Sequence, residues 1–153
     1  MYWATLPHDA GKVKLPVDIW DQINKPDAAM KHLRRSHTVM GVEMVRDSLG
    51  HHDHPFLTLM TDIMRDHHEH MDGTGYQGKK AEDLSLPVRL VAIVEAFDGD
   101  SIYRPHFKDR DLSPAAVIER MKAEDAGCYD PDLLEAFAEI KLRAASPGFS
   151  HQP

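Results

Sequence analysis

The sequence has little of several features that would place it in other protein classes. It contains one cysteine among 153 residues, so no internal disulfide can form and a reducing, cytoplasmic compartment is expected. No apolar run approaches the roughly 20 residues that span a bilayer, and the first residues lack the basic and apolar segments of a secretory signal. Positive charge is outweighed by negative charge: a net charge of −7 argues against DNA or RNA binding, which needs a basic face.

The chain does have the length and composition of one globular domain. Its 42% hydrophobic and 28% charged residues are enough for a single core. Apolar residues recur at helical spacing and predict five helices, over residues 28–49, 55–70, 86–97, 113–124 and 130–143. No stretch shows the alternation typical of a strand, so the predicted fold class is all-α. Residues 72–85 are expected to form a long glycine-rich loop, and residues 146–153 a frayed tail.

Two adjacent histidines are the most informative feature, in the run His67-His68-Glu69-His70-Met71-Asp72-Gly73-Thr74-Gly75-Tyr76. Neighbouring residues on a helix point roughly 100° apart. Two adjacent imidazoles would therefore serve two metal ions better than one. The glycines that follow allow a backbone to approach a ligand closely.

Further imidazoles and carboxylates are spread along the chain. His8 and Asp9 lie upstream, His37 stands alone between the two motifs, and Glu95 follows the loop. Such ligands suit a mid-row transition metal such as Fe, Mn or Zn. A carboxylate between two ions can bridge them, and Asp9 is the candidate for that position.

These motifs resemble the HD-GYP family of cyclic dinucleotide phosphodiesterases, a branch of the HD superfamily. The matching stretch runs from about Leu6 to Phe107. It includes His8-Asp9 with Gly11-Lys12, Ser36-His37-Thr38, His67-His68-Glu69, Asp72-Gly73-Thr74-Gly75-Tyr76, Leu86-Pro87 and Arg104-Pro105. The resemblance implies an HD-domain-like helical bundle over residues 1–145. It also implies two divalent transition-metal ions, Fe or Mn first and Zn or Ni next, held by His8, Asp9, His37, His67, His68 and Glu95.

The resemblance further implies hydrolysis of cyclic di-GMP to pGpG and GMP in bacterial signalling. Asp9 and Lys12 are the expected catalytic residues, and Lys12, Tyr76 and Arg104 the expected substrate contacts. One alternative is a degenerate, non-catalytic module that binds cyclic di-GMP or a GGDEF-domain partner. Another is an enzyme that hydrolyses a different nucleotide. A homodimer is expected, because a shortened domain would leave an uncovered apolar patch.

The chain departs from the family pattern in three places. Only seven residues precede His8, whereas the family has additional helices there that supply further ligands, so the domain is expected to be N-terminally truncated. The isolated chain is then expected to hold fewer than two ions tightly. Gln77 replaces the family's proline and is expected to loosen the loop. Glu95 stands where the family has an aspartate.

Other polar and aromatic residues are given structural interpretations. The Lys79-Lys80 pair is expected to be a solvated part of the loop. The cluster His51-His52-Asp53-His54 is expected to be an exposed turn. His70 is expected to face solvent or to support a neighbouring ligand, and not to bind metal itself. The methionines, Trp3 and Trp20 are expected to fill the core.

Overall fold

Helices make up most of the computed structural model, which describes residues 1–21, 24–50 and 53–145. In chain order they are α1 (Tyr2–Thr5), α2 (Ala28–Arg35), α3 (His37–Leu49), α4 (Pro55–Asp66), α5 (Leu86–Ser101), α6 (Pro114–Ala123) and α7 (Pro131–Ala145). Short 3₁₀ turns occupy Ala10–Lys14, Val17–Ile19, Ala81–Asp83 and Pro105–Phe107. Within these described ranges no strand forms beyond one antiparallel bridge, so the predicted all-α class is confirmed. None of the described helices is both long and apolar enough to cross a membrane.

The starts of the later helices follow signals in the sequence. The Ser113 hydroxyl accepts the Ala116 N–H at 3.4 Å and so caps α6. Asp130 caps α7 in the same way, accepting the Leu133 N–H at 3.2 Å. Helix α5 begins as predicted but continues to Ser101, past its expected end.

The single helix predicted over residues 28–49 is wrong, because the chain breaks at Ser36 into α2 and α3. The side chains of Ser36, His37 and Thr38 each contact the carbonyl three residues earlier, at 2.7, 2.5 and 3.1 Å. Such local bonds compete with the regular helical ladder. His37 therefore begins α3 with its ring buried, away from the basic outer surface of α2.

The helix predicted over residues 55–70 is too long, since α4 ends at Asp66. His67 is the capping residue, and both its N–H and its ring Nδ1 lie 3.0 Å from the Ile63 carbonyl oxygen. His68 lies in the turn that follows. The two histidines are therefore not neighbours on one regular helix, so the helical spacing from which separate ions were predicted is wrong. Their ring centroids are only 4.1 Å apart.

Two apolar clusters meet along α5. In its first half, Val88 and Val91 pack against Ile63 of α4. Farther along, Ile93 and Phe97 pack against α6 and α7. Helix α5 is thus central, and it carries Glu95 between Ile93 and Phe97, which both enter the second cluster. The methionine prediction is confirmed for three buried residues, Met60, Met64 and Met121.

The first residues of the chain present an apolar surface. Trp3 is 71% exposed, so its predicted role in the core is wrong for this chain. Trp20 does pack, edge-on against the His37 ring with centroids 5.8 Å apart. Several other large apolar side chains near the start of the chain are exposed, namely Met1, Tyr2, Leu6, Val13 and Val17.

Candidate metal centre

Close packing of the Ala10–Lys14 turn on α3 brings the His8-Asp9 pair to His37. Gly11 is buried in this contact. A Cβ atom at Gly11 would overlap the His37 carbonyl oxygen and lie 2.5 Å from the Gly41 nitrogen. Only glycine allows the two backbones to approach so closely. Gly11 therefore sets the separation between Asp9 and His37.

A first group of possible metal ligands consists of Asp9, His37, His67 and His68. One ligand atom from each lies within 4.8 Å of the others. The His37 Nε2 atom is 3.1 Å from Asp9 Oδ1, and His67 Nε2 is 3.7 Å from the same oxygen. Asp9 precedes the Ala10–Lys14 turn, His37 begins α3, and the other two histidines follow the end of α4. Tertiary packing therefore assembles the group.

A second group shares the same aspartate and consists of His8, Asp9 and Glu95. His8 Nε2 lies 3.5 Å from Asp9 Oδ2 and 3.4 Å from Glu95 Oε2. The first group approaches Oδ1 of Asp9 and the second approaches Oδ2. The carboxylate thus has one oxygen toward each group, which is the geometry of a bridging ligand.

The histidine rings are oriented as metal ligands usually are. The Nδ1 atoms of His8, His37 and His67 face the backbone carbonyl oxygens of Thr5, Arg34 and Ile63, at 3.0, 2.5 and 3.0 Å. A ring that donates its Nδ1–H to a carbonyl carries its free lone pair on Nε2. The Nε2 atoms of all three rings, and Asp9 Oδ1, are buried without a hydrogen-bond partner. Buried unpaired polar atoms that converge in this way fit a bound cation.

Charges in the centre shift the acidities of its members. Burial alone would raise the pKa of Asp9, but the neighbouring His37, His67 and Lys12 outweigh it and hold the pKa well below its usual range. Burial, together with repulsion from the other rings, lowers the pKa of His68 to about 2. Asp9 is therefore ionised and His68 neutral at pH 7, the forms in which they bind metals. Contact with Glu95 raises the pKa of His8, and contact with His8 lowers that of Glu95.

The predicted substrate-contacting residues surround this centre. The Lys12 ammonium forms an ion pair with Asp9 Oδ2. The Tyr76 ring stacks on His68 with centroids 4.5 Å apart. The Arg35 guanidinium also lies over the Tyr76 ring, 4.9 Å from its centroid. A cleft of about 480 Å³ lies beside the centre and is lined by His67, His68, Glu95 and Arg104 among others.

Glu69 has a structural role that was not anticipated from the sequence. Its side chain is buried, and its two carboxylate oxygens accept the backbone N–H groups of Gln77 and Lys79, at 2.5 and 2.8 Å. Glu69 thereby holds the loop that presents Tyr76. The signal in the sequence is an acidic residue four positions before the first glycine of the loop. The predicted loosening by Gln77 is wrong, because the N–H that a proline would lack donates to Glu69.

An ion network around the buried carboxylate of Asp66 anchors the same loop. Lys79 Nζ lies 2.7 Å from Asp66 Oδ2, and Asp66 is only 3% exposed. Arg65 contacts the same oxygen at 2.9 Å. The prediction of a solvated Lys79 is therefore wrong, although Lys80 is exposed. Of the histidine-rich turn, residues 51–52 lie outside the described residues, and His54 caps α4 by accepting the Phe56 N–H at 3.2 Å.

The sequence profile of one protein family, described as HD domain, matches residues 1–133. The chain belongs to the HD domain family. The structure is similar to a solved HDG"Y"P protein from Bdellovibrio bacteriovorus, with a TM-score of 0.67 and 18% identity over 87% of this chain and 40% of that one. That likeness supports the helical fold. The predicted HD-GYP membership and helical bundle are confirmed.

Curated relatives with similar sequences carry descriptive names. A cyclic di-GMP phosphodiesterase of Pseudomonas aeruginosa is 34% identical over 89% of this chain and 31% of its own length. A 3′3′-cGAMP-specific phosphodiesterase 2 of Vibrio cholerae is 29% identical over 92% of this chain and 27% of its own length. A cyclic di-GMP phosphodiesterase of Thermotoga maritima is 28% identical over 88% and 35%. The chain thus spans about a third of the length of these relatives.

Proposed function

We propose that this chain carries the catalytic centre of a metal-dependent phosphodiesterase that hydrolyses a cyclic dinucleotide. One observation carries the proposal. Asp9 belongs to two ligand groups at once, and the unpaired Nε2 atoms of His8, His37 and His67 converge on it. The names of the relatives supply the substrate class, with cyclic di-GMP first and 3′3′-cGAMP second.

Two divalent ions would fit this arrangement of ligands. His37, His67 and His68 would hold one, His8 and Glu95 the other, and Asp9 both. Four imidazoles with two carboxylates favour Fe or Mn, with Zn and Ni as further candidates. When bound, two ions would supply a hydroxide nucleophile at neutral pH and offset negative charge on the phosphate.

The side chains of the chain would supply the rest of the chemistry. Lys12 already lies against Asp9, so its ammonium would reach the phosphate and oppose the charge that gathers on its oxygens. Arg104 would hold a phosphate through its planar fork. Tyr76, which stacks on His68, offers a ring for a base near the centre. The reaction adds water across one phosphodiester bond of the ring, so linear pGpG is the first product.

Two kinds of partner are also proposed. The exposed apolar side chains at the start of the chain, among them Tyr2 and Trp3, favour a homodimer. By the family resemblance, we propose that a GGDEF-domain protein would dock on the loop that carries Tyr76. Analytical ultracentrifugation at tens of micromolar should show a dimer that Trp3→Ser weakens; a sharp monomer would contradict self-association.

The enzymatic proposal is tested by product analysis. The chain is reconstituted with Mn²⁺ or anaerobic Fe²⁺ and incubated with cyclic di-GMP or 3′3′-cGAMP, and the products are separated by chromatography. Linear dinucleotide should form with the parent and with the surface control His32→Gln, and not with Asp9→Asn. Cyclic di-GMP binding without turnover under all these conditions would favour the non-catalytic alternative.

A further inference from the structure

A separate group of metal-type ligands lies where the start of the glycine-rich loop meets the connection between α6 and α7, outside the two groups around Asp9. His70 and Asp72 stand at the start of the loop, and Cys128 lies in the connection between α6 and α7. A ring nitrogen of His70, a carboxylate oxygen of Asp72 and the Cys128 sulfur all lie within 4.8 Å of one another. We propose that these three side chains bind a divalent ion of the zinc class, with water in the fourth position.

The ligand chemistry selects the class of ion. Thiolate, imidazole and carboxylate are the three side-chain groups that zinc takes, commonly as three protein ligands and one water. Ordinary Zn–S and Zn–O bond lengths in a tetrahedron place the sulfur and oxygen about 3.5 Å apart. Cys128 Sγ is 4.0 Å from Asp72 Oδ2, so a contraction of about half an ångström would complete the site.

The backbone holds the two segments in register for this site. The N–H of Met71 donates to the Cys128 carbonyl at 2.8 Å, so the loop and the α6–α7 connection are joined beside the ligands. Gly127 has a φ of +96°, a conformation that favours glycine, and a Cβ there would lie 3.9 Å from the Asp72 carboxylate. The turn that presents Cys128 to Asp72 therefore depends on this glycine.

Thr74 orients the other two ligands. Asp72 Oδ1 accepts both the Thr74 N–H at 2.9 Å and its hydroxyl at 2.7 Å. The same hydroxyl oxygen lies 2.8 Å from His70 Nδ1 and can accept its proton. One nitrogen of His70 then carries a free lone pair, and Asp72 Oδ2 remains for the ion. Supporting contacts of this kind are typical around metal ligands.

An ion at this site would clamp the loop that carries Tyr76 to the far half of the bundle. This site would also prefer a different metal from the Asp9 centre, because Cys128 is the only cysteine in the chain and the Asp9 centre has no thiolate. A thiolate ligand favours zinc-like ions, whereas a site of oxygen and nitrogen ligands suits Mn or Fe. The inference is independent of whether the chain hydrolyses a dinucleotide.

Cobalt(II), a coloured substitute for zinc, provides the test. With the full chain free of metal, Co²⁺ is titrated and near-ultraviolet absorbance is followed, where thiolate-to-cobalt charge transfer appears. Histidine and carboxylate ligands give no such band, so the Asp9 centre is silent. We expect a band whose limiting intensity corresponds to one thiolate-bound ion per chain, whatever the silent Asp9 centre takes up; it should be unchanged on dilution and displaced by Zn²⁺. No band in the parent would overturn the proposal.

Variants separate the proposed site from a thiol that binds cobalt alone. Cys128→Ser should abolish the band. His70→Gln and Asp72→Asn should each weaken cobalt binding by at least about 10-fold, the lower end of the loss seen when even a supporting residue is removed. The matched control His32→Gln, an exposed histidine on α2, should bind as the parent does. A band of unchanged affinity in both His70→Gln and Asp72→Asn would refute the three-ligand site.

Discussion

The contact at Gly11 is the point where one methyl group should disturb both stability and the metal centre. Gly11→Ala places a Cβ against the His37 carbonyl and 2.5 Å from the Gly41 nitrogen, both of them backbone atoms that cannot rotate away. Ordinary contact requires about 3.4 Å. The Ala10–Lys14 turn and α3 must therefore separate by at least roughly 1 Å, which is the shortfall at the Gly41 nitrogen, and by more at the His37 oxygen.

The expected magnitudes follow from that separation. Overpacking of this kind costs about 1–3 kcal/mol, which in a chain of this size lowers Tm by roughly 2–12 °C. The same shift moves Asp9 away from His37. In the parent, Asp9 Oδ1 lies 3.1 Å from His37 Nε2. A misplacement of about 1 Å at a reacting centre costs on the order of 100-fold in rate.

Urea unfolding and Mn²⁺ titration measure the two effects. Gly11→Ala should lower the midpoint with an unchanged m-value and should weaken metal binding. Gly99→Ala is the matched stability control: its Cβ meets nothing nearer than an Arg104 side-chain nitrogen at 3.7 Å, and it should be neutral or stabilising. A Gly11→Ala chain as stable as the parent, with unchanged metal affinity, would refute the role given to this contact.

Three further perturbations have defined outcomes. Glu69→Gln replaces one of two accepting oxygens with an NH₂ group, so the free energy of unfolding should fall by about 1–3 kcal/mol in urea, and unchanged stability would contradict this. Glu95→Asp should keep the ion beside His8 while Glu95→Ala loses it, as read by calorimetric titration; equal binding would remove Glu95 from the ligands. Asp130 is the third site. Burial alone would raise its pKa, but hydrogen bonds from the Leu133 N–H and from Arg89 outweigh burial and hold the pKa of Asp130 below its ordinary value. Its contribution is therefore present at neutral pH and lost as pH falls through the lowered pKa. Asp130→Ala should cost about 0.5–2 kcal/mol at pH 7, and the gap should close in acid.

The order of the motifs predicted the residues of the centre, and capping residues such as Ser113 predicted the starts of helices. Both signals can be read from short segments of the sequence. The break at Ser36 and the end of α4 at Asp66 were not predictable in the same way, because buried side-chain contacts decide them. Apolar spacing continues through both positions.

Two predictions about the loop were wrong because the partners of its residues are distant in the sequence. Lys79 looked solvated because its sequence neighbours are polar, yet it meets Asp66, 13 residues earlier in the chain. Gln77 looked like a loosening substitution because the acceptor of its N–H, Glu69, is eight residues away in sequence. Partners of this kind become visible only when the chain is folded.

The sharing of Asp9 between two ions is the central claim, and Mn²⁺ titration of three variants tests it most directly. His37→Ala should weaken only one of two binding events, and Glu95→Ala only the other. Asp9→Asn should weaken both, since each ligand group loses its common carboxylate. If Asp9→Asn leaves either event at the parent's affinity, Asp9 does not bridge two ions and the proposed centre is wrong.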